Sequence, residues 1–198
     1  MKIETINDAF IAMAHLCEPG DELINKKLAS GISPNQVLDM LGSKGFPQRD
    51  HVAFTRRFER FDLGAELDFA HQIGARILTR DQEGWPTQLQ ALGTKQPWAL
   101  WAMGSIDFRV IALSSVTIVG TRACTPYGAA ISGQWAAELG AWGTHVFSGG
   151  AIGVDSCVHK GALRAGTPTV SVLASGVHAR YPSSNEYLFA QILENGAI

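Results

Sequence analysis

The stretch that decides the fold is VFSGGAIGVDSCVHKGALRAGTPTVSVLASG, residues 146–176. A short apolar run ends abruptly at Ser-Gly-Gly (148–150), a segment of helical character follows, and Gly-Thr-Pro (166–168) precedes a second apolar run. Apolar runs that alternate with helices are typical of parallel strands in an α/β protein. The stretch therefore predicts a strand–turn–helix–strand unit.

The same pattern occurs on both sides of this unit. VTIVG (116–120) precedes the helical segment 129–143, and PTVSVLASG (168–176) precedes the helical segment 183–196. Right-handed crossovers place the carboxyl ends of all three strands at one edge of the sheet, and we expect helices on both of its faces. Ligands of open α/β sheets bind outside that edge, which we call the rim.

The chain before these repeats has a different character. Residues 1–72 predict a domain of short helices, one starting at Ser33 and Pro34 and a single longer one over residues 54–74. A run of arginines within the longer helix most simply forms an exposed face.

Residues 73–198 predict a partial Rossmann-like domain. It consists of a connector, 73–114, and a βα core, 115–198. The connector includes a strand at 75–79 and tryptophans that we expect to cover a neighbouring core.

Composition narrows the function classes. The chain has 198 residues, of which 46% are hydrophobic and 17% charged, as in globular proteins. No run of eighteen apolar residues predicts a membrane span, and the N-terminus lacks the basic flank and apolar core of a signal peptide, so we expect a cytoplasmic protein. The three cysteines are far apart without a CxxC pair, which predicts buried or idle thiols, no disulfide framework and no structural zinc. We also predict no cofactor. The net charge of −2 argues against a broad electrostatic grip on nucleic acid but leaves a local one open.

The glycine-rich turn after the second strand is the first candidate site. Ser148, Gly149, Gly150 and Gly153 can direct successive backbone amides at an oxyanion, because glycine has no Cβ and tolerates positive φ. The alternative is a tight strand–helix turn with no ligand. Spacing alone leaves both readings open.

The turns after the first and third strands add polar candidates. Arg122 follows the first strand, where a guanidinium can bind phosphate with two hydrogen bonds or can simply be a surface cation. Arg180 and Tyr181 lie in the third turn, where the tyrosine can stack on a base or pack against the protein.

An acid and a histidine lie four residues apart on the second predicted helix. Asp155 could orient His159, and a nucleophile reading would add Ser148. No GxSxG motif is present and no further carboxylate is implied, so a structural pair that ties this helix to the loop is favoured. We predict no catalytic residue and no enzyme activity.

Together, VTIVGTRACTPYG, SGGAIGVDSCVHKGALRAGTPTVSVLASGV and YPSSNEYLFAQILENGAI resemble the DNA-processing protein A family (DprA, also called Smf). This resemblance implies an extended Rossmann-like domain that binds single-stranded DNA, protects incoming strands in natural transformation and loads the RecA recombinase. It further implies a homodimer when full length and no membrane partner. The nucleic-acid contacts that we expect are Thr121, Arg122, Ser148, Gly149, Gly150, Gly153, Arg180 and Tyr181.

The resemblance covers only the first half of the family's doubly wound sheet, so we expect a fragment in which one wall of the DNA groove is missing. Two other readings of the glycine-rich α/β pattern remain. One is a nucleotide phosphoribohydrolase of the lysine-decarboxylase-like (LOG) group, although its PGGxGT motif is not in this sequence. The other is a nucleotide-sensing domain without chemistry.

Overall fold

The computed structural model describes residues 3–47 and 50–198. The chain divides into two compact units at the boundary between Leu100 and Trp101, which falls inside the second strand and within the predicted connector. No helix in the described part is long and apolar enough to cross a membrane.

The elements follow the chain in this order: α1 (Ile6–Leu16), α2 (Glu22–Ala29), α3 (Pro34–Leu41), α4 (His51–Arg60), α5 (Leu63–Gln72), β1 (Arg76–Thr79), a 3₁₀ segment (Thr87–Lys95), β2 (Ala99–Ala102), α6 (Phe108–Leu113), β3 (Ser115–Thr117), α7 (Pro126–Ala141), β4 (His145–Ser148), α8 (Val154–Arg164), β5 (Thr169–Ser171), a second 3₁₀ segment (Ser183–Asn185) and α9 (Glu186–Asn195).

Side-chain caps determine where the first helices begin. At α1 the Thr5 hydroxyl accepts a hydrogen bond from the Asp8 amide at 3.1 Å, and the Asp8 carboxylate accepts one from the Thr5 amide at 2.9 Å. Ser33 and Gln36 form the same reciprocal pair at α3. These bonds satisfy amides that have no partner in the first turn of a helix. The predicted helix start at Ser33 and Pro34 is confirmed.

The single helix predicted over residues 54–74 is wrong, because the chain forms two helices there. α4 ends at Arg60, and Asp62 caps α5 by accepting hydrogen bonds from the Gly64 amide at 2.8 Å and the Ala65 amide at 3.2 Å. A side-chain cap of this kind starts a new helix rather than continuing the old one. The arginine run lies on α4, and its members Arg56, Arg57 and Arg60 are exposed, as predicted.

A tryptophan from the connector completes the core of the first unit. Trp98 is fully buried among apolar side chains of α1 to α4. Its indole Nε1 donates a hydrogen bond to Asn25 Oδ1 at 2.7 Å, and the side-chain Nδ2 of Asn25 donates to the Thr94 and Gln96 carbonyls at 2.9 Å. The prediction that connector tryptophans cover a neighbouring core is confirmed for this residue. β1, predicted at 75–79, is also confirmed, and it forms a two-stranded sheet with β2.

The second unit contains a three-stranded parallel sheet in the order β3-β4-β5. Val116 is opposite Val146, and Phe147 is opposite Val170. Beyond β5, Ala197 forms a parallel bridge with Val170. This arrangement confirms the predicted fold class, an α/β protein with a parallel sheet preceded by helices.

Both crossover helices of this sheet lie on the same face. Ala136 of α7 and Val158 of α8 pack together around Val146 of β4. Right-handed crossovers between strands that are neighbours in sequence and in space must place their helices on one side. The expectation of a sheet covered throughout on both faces is therefore wrong, since Thr117 and Val119, next to the rim on the other face, are exposed.

Candidate nucleic-acid interface

A pocket of about 390 Å³ opens at the rim, where the three parallel strands end. Each of the three turns contributes to it, with Arg122 from the turn after β3, Gly149 from the turn after β4 and Tyr181 from the segment after β5. The full lining comprises Arg122, Gly149, Ala151, Ile152, Leu173, Ala174, Ser175, Tyr181 and Pro182. The parallel topology thus brings together residues that are 59 positions apart in sequence.

Packing requires two of the glycines in the second turn. Gly150 has φ +70°, and a Cβ there would lie 2.5 Å from Ser171 Oγ and 2.7 Å from Phe189 Cε1. Gly153 has φ +88°, and a Cβ there would lie 2.3 Å from the Thr121 carbonyl oxygen. Residues other than glycine rarely adopt a backbone conformation with φ in this positive range. The tight-turn reading of the motif is therefore sufficient to explain these two glycines.

The amides of the same turn remain available to a ligand. Within the described residues, the Gly149 and Gly150 amides donate no hydrogen bond. Gly149 lines the pocket. Unpaired amides at the end of a strand and before a helix are suited to an oxyanion.

Ser148 has a structural role. Its side chain is 2% exposed, and its hydroxyl donates a hydrogen bond to the Ile118 carbonyl at 2.7 Å, which joins β4 to the residue after β3. The hydroxyl therefore does not face the pocket, and only the backbone of Ser148 can contribute to ligand binding.

Asp155 joins two of the rim turns. Its carboxylate is buried and accepts hydrogen bonds from the Gly120 amide and the Ala151 amide, each at 3.3 Å. A Cβ on Gly149 would lie only 2.8 Å from Asp155 Oδ2. A buried carboxylate at the base of the turn repels a phosphate, so it opposes binding of an anion deep in the turn.

His159 has a different partner from the one considered in the sequence analysis. Its Nδ1 lies 2.9 Å from Thr169 Oγ1, and the Thr169 hydroxyl donates to the Val146 carbonyl at 2.7 Å. Because that hydroxyl proton is already used, Nδ1 carries a proton and donates it to Thr169. Burial lowers the pKa of His159 to about 4, although the Asp155 carboxylate acts in the opposite direction. The histidine is thus a neutral strut between α8 and the sheet.

Ser148, Asp155 and His159 therefore form no catalytic relay with one another. Ser148 bonds to Ile118, Asp155 to two backbone amides, and His159 to Thr169. In the described residues, no group of three or more histidine, cysteine or acidic side chains is arranged to hold a metal ion.

The remaining predicted contacts differ in how accessible they are. Arg122 is exposed and has no ion-pair partner among the described residues. Tyr181 is 64% exposed. Arg180, in contrast, lies 3.6 Å from Glu186 and outside the pocket lining. Thr121 uses its carbonyl to accept a hydrogen bond from the Val154 amide and its hydroxyl to accept one from the Ala123 amide.

Sequence reasoning missed the apolar part of the pocket. Ile152 is 47% exposed in the glycine-rich turn, and Leu173 to Ser175 follow β5 at the same rim. The position of the second group could have been inferred, because it directly follows a predicted strand. No sequence signal indicated that Ile152 would line the pocket, because the recognisable motif consists of the serine and glycines around it.

The family model for DNA recombination-mediator protein A matches residues 76–198, which include every element of this site. The chain belongs to this family. The match begins at β1, so it covers the whole second unit and the strand, 3₁₀ segment and tryptophan that precede it.

Relatives and solved structures agree with this assignment. The chain is 30% identical over 179 residues to the Mycobacterium tuberculosis protein assigned as DNA processing protein DprA, which corresponds to 84% of this chain and 46% of that protein. The X-ray structure of DprA from Streptococcus pneumoniae superposes with a TM-score of 0.72 at 21% identity, over 98% of this chain and 66% of that one. The structure of DNA processing protein A from Helicobacter pylori, described for its single-stranded DNA binding mode, gives a TM-score of 0.51 at 27% identity over 63% of this chain and 54% of that one.

The chain spans about half the length of the curated relatives that it matches.

Proposed function

We propose that the full-length protein binds single-stranded DNA at the rim of the parallel sheet. One observation carries the proposal. An exposed, unpaired arginine, Arg122, lines the same pocket as Gly149, whose amide is unpaired, and as the exposed ring of Tyr181. A guanidinium and backbone amides bind a phosphate, and the tyrosine ring offers a face to a base.

The same residues favour a single strand over a duplex. An aromatic ring stacks only on a base whose face is open, and duplex bases are stacked on one another. The βα core is also poor in cations, since the only lysine and arginine residues in 115–198 are Arg122, Lys160, Arg164 and Arg180. Few phosphates can be neutralised at once, which is a disadvantage on the densely charged duplex.

Fluorescence anisotropy with labelled oligothymidine and a blunt duplex of equal length tests this proposal. We expect the full-length protein to bind the single strand at least about tenfold more tightly at fixed ionic strength. The logarithm of its affinity should fall with the logarithm of salt concentration with a slope of about −1 to −2, as for one to three phosphates. Equal or tighter binding of the duplex would refute the proposal.

The size of the pocket favours a second candidate, a mononucleotide site. Its volume of about 390 Å³ lies in the range of small-molecule sites. Thymidine monophosphate in the same anisotropy experiment separates the two functions. A DNA site prefers the oligonucleotide by far, because successive phosphates and bases contribute, whereas a nucleotide sensor binds both with equal affinity. A phosphoribohydrolase would in addition release free base, which chromatography detects.

Protection of incoming DNA, loading of RecA and dimerisation belong to the same proposal, and family membership supports them. We propose that residues 73–198 contribute to the DNA-binding domain and that residues 1–72 form a separate helical domain. Sedimentation of the full-length protein measures dimerisation. RecA assembly on single-stranded DNA, with and without the protein, measures loading.

A further inference from the structure

We propose that Cys124 and Cys157 form an oxidative modification site, at which a peroxide joins the turn after β3 to α8 through a disulfide. This inference does not depend on DNA binding. None of the cysteines is in a disulfide in the structure.

The packing of two helices brings the two cysteines together. Cys124 lies directly before Thr125, the N-cap of α7, and Cys157 lies in the first turns of α8. The helices approach through glycines, since a Cβ on Gly161 would lie only 2.1 Å from the Gly133 carbonyl oxygen. Gly153, Cys157 and Gly161 follow one another at intervals of four residues, so Cys157 lies on the face of α8 that packs against α7 and the turn before it. Cys124 is therefore a neighbour of Cys157, although the two residues are 33 positions apart, and it contributes to the raised pKa of that thiol.

The backbone around Cys124 is held against α8 as well. The Val154 amide donates a hydrogen bond to the Thr121 carbonyl at 3.2 Å, and the closeness of Gly153 to the Thr121 and Arg122 carbonyls leaves no room for a side chain. The turn that carries Cys124 is therefore fixed beside the first turn of α8, which carries Cys157. Disulfides form readily only where the backbone already places the two sulfurs close together.

The surroundings of the thiols indicate which one reacts first. Both side chains are partly exposed, so a molecule as small as hydrogen peroxide can reach them. Burial, and after it the neighbouring Cys124 thiol, raises the pKa of Cys157, while Lys160 and Arg164 act weakly in the opposite direction. Since the thiolate is the reactive form, Cys124 attacks the oxidant and Cys157 acts as the resolving thiol.

The chemistry balances with hydrogen peroxide as the only oxidant. The Cys124 sulfur attacks one peroxide oxygen, the O–O bond breaks, and the thiol proton leaves with the other oxygen as water, so that a sulfenic acid remains. The Cys157 sulfur then attacks the Cys124 sulfur, the S–O bond breaks, and the hydroxyl group leaves as a second water with the Cys157 proton. Two thiols lose two electrons in total, and one peroxide gains them.

The sequence allows a direct test by peptide mapping. Trypsin leaves both cysteines in one peptide, residues 123–160, because no Lys or Arg lies between Arg122 and Lys160. Cleavage after Glu138 with a glutamyl endopeptidase then separates residues 123–138 from 139–160 unless a disulfide joins them. The chain is treated with hydrogen peroxide, its remaining thiols are alkylated under denaturing conditions, and the digest is analysed by mass spectrometry.

We expect the two peptides to remain joined, two hydrogen atoms lighter than their sum, and to separate on reduction. Cys124→Ser and Cys157→Ser should each abolish the joined product, whereas Cys17→Ser, the matched control in the first unit, should preserve it. Links between molecules, links to Cys17, or alkylation of both cysteines after peroxide treatment would each overturn the proposal.

Thermal unfolding provides a second measurement. Closing a loop of this length restricts the unfolded chain, so the oxidised protein should unfold at least about 5 °C above the reduced protein. The oxidised and reduced forms of Cys124→Ser should unfold at the same temperature. An unchanged melting temperature in a protein that is fully crosslinked would refute the inference that the disulfide restrains the folded arrangement of these elements.

Discussion

Replacement of Arg122 by alanine removes the only arginine or lysine side chain that lines the rim pocket in the described residues. A hydrogen bond between a charged group and its partner contributes about 1.5–3 kcal/mol. Arg122 is exposed, so water screens its charge, and the lower end of this range applies. We therefore expect Arg122→Ala to weaken binding of single-stranded DNA by about tenfold.

Lys160→Ala is the matched control. Lys160 is exposed and lies six residues after the first residue of α8, which starts at the rim. At 1.5 Å per residue its Cα is about 9 Å along the helix from the rim, beyond the Debye length of about 8 Å at physiological ionic strength. Its loss should change the affinity by less than about twofold. Arg122→Lys should fall between the two variants, because an ammonium group cannot form the two parallel hydrogen bonds of a guanidinium.

Fluorescence anisotropy with labelled oligothymidine measures these affinities in the full-length protein at 0.15 M salt, after circular dichroism has shown that each variant is folded. In a salt titration, the slope for Arg122→Ala should be less steep than the wild-type slope by about 0.7, as for one lost phosphate contact on a single strand. Equal losses for Arg122→Ala and Lys160→Ala, or an unchanged salt slope, would show that attraction is diffuse and would refute a specific site at Arg122.

Three further predictions concern stability, measured as the free energy of unfolding in urea. Gly150→Ala should cost about 2–4 kcal/mol, because the added Cβ would lie 2.5 Å from Ser171 Oγ and would also strain the backbone. The control is Gly166→Ala, which has the same φ but no neighbour within 4 Å and should cost only about 1 kcal/mol. Equal costs for the two variants would contradict the packing argument. Asp155→Ala should cost about 1–3 kcal/mol, because the partly buried hydrogen bonds from the Gly120 and Ala151 amides lose their acceptor, and a neutral result would mean that water replaces the carboxylate. His159 has a folded pKa of about 4 against an ordinary value of 6.5, so the unfolded chain binds the proton more tightly, and stability should be complete above about pH 7 and fall by about 3 kcal/mol as the pH decreases towards 4. His159→Gln should be less sensitive to pH in that window, and an identical pH profile for the two proteins would show that the histidine is not the group that titrates.

Much of this protein's local structure can be predicted from short-range signals in its sequence. Ser33 and Pro34 mark the start of α3 because a cap bonds to an amide only three residues away. The alternation of apolar runs with glycine turns predicts parallel strands that end at one rim, and the positive φ of Gly150 and Gly153 follows from the same motif. Asp62, which divides the predicted helix at 54–74, is also a local signal, because an aspartate can cap a new helix. The helical pattern on either side of it nevertheless predicts one continuous helix.

The roles of the polar residues at the rim were decided by tertiary structure. Asp155 and His159 lie four positions apart on one helix, and sequence pairs them, but the carboxylate bonds to two turns and the imidazole to Thr169 on β5. Ser148 is similar, since its hydroxyl bonds to a residue 30 positions earlier in the chain.

The physical reason is the range over which each interaction acts. Caps, turns and helical periodicity depend on neighbours within about four residues, so the sequence by itself determines that α3 begins at Ser33 and Pro34 and that the strands are parallel. A buried polar group must instead find a partner on whichever element packs against it, and that element is chosen by the packing of the whole unit. The closeness of Cys124 to Cys157 is a result of this kind, because it depends on how α7 and α8 meet over the sheet.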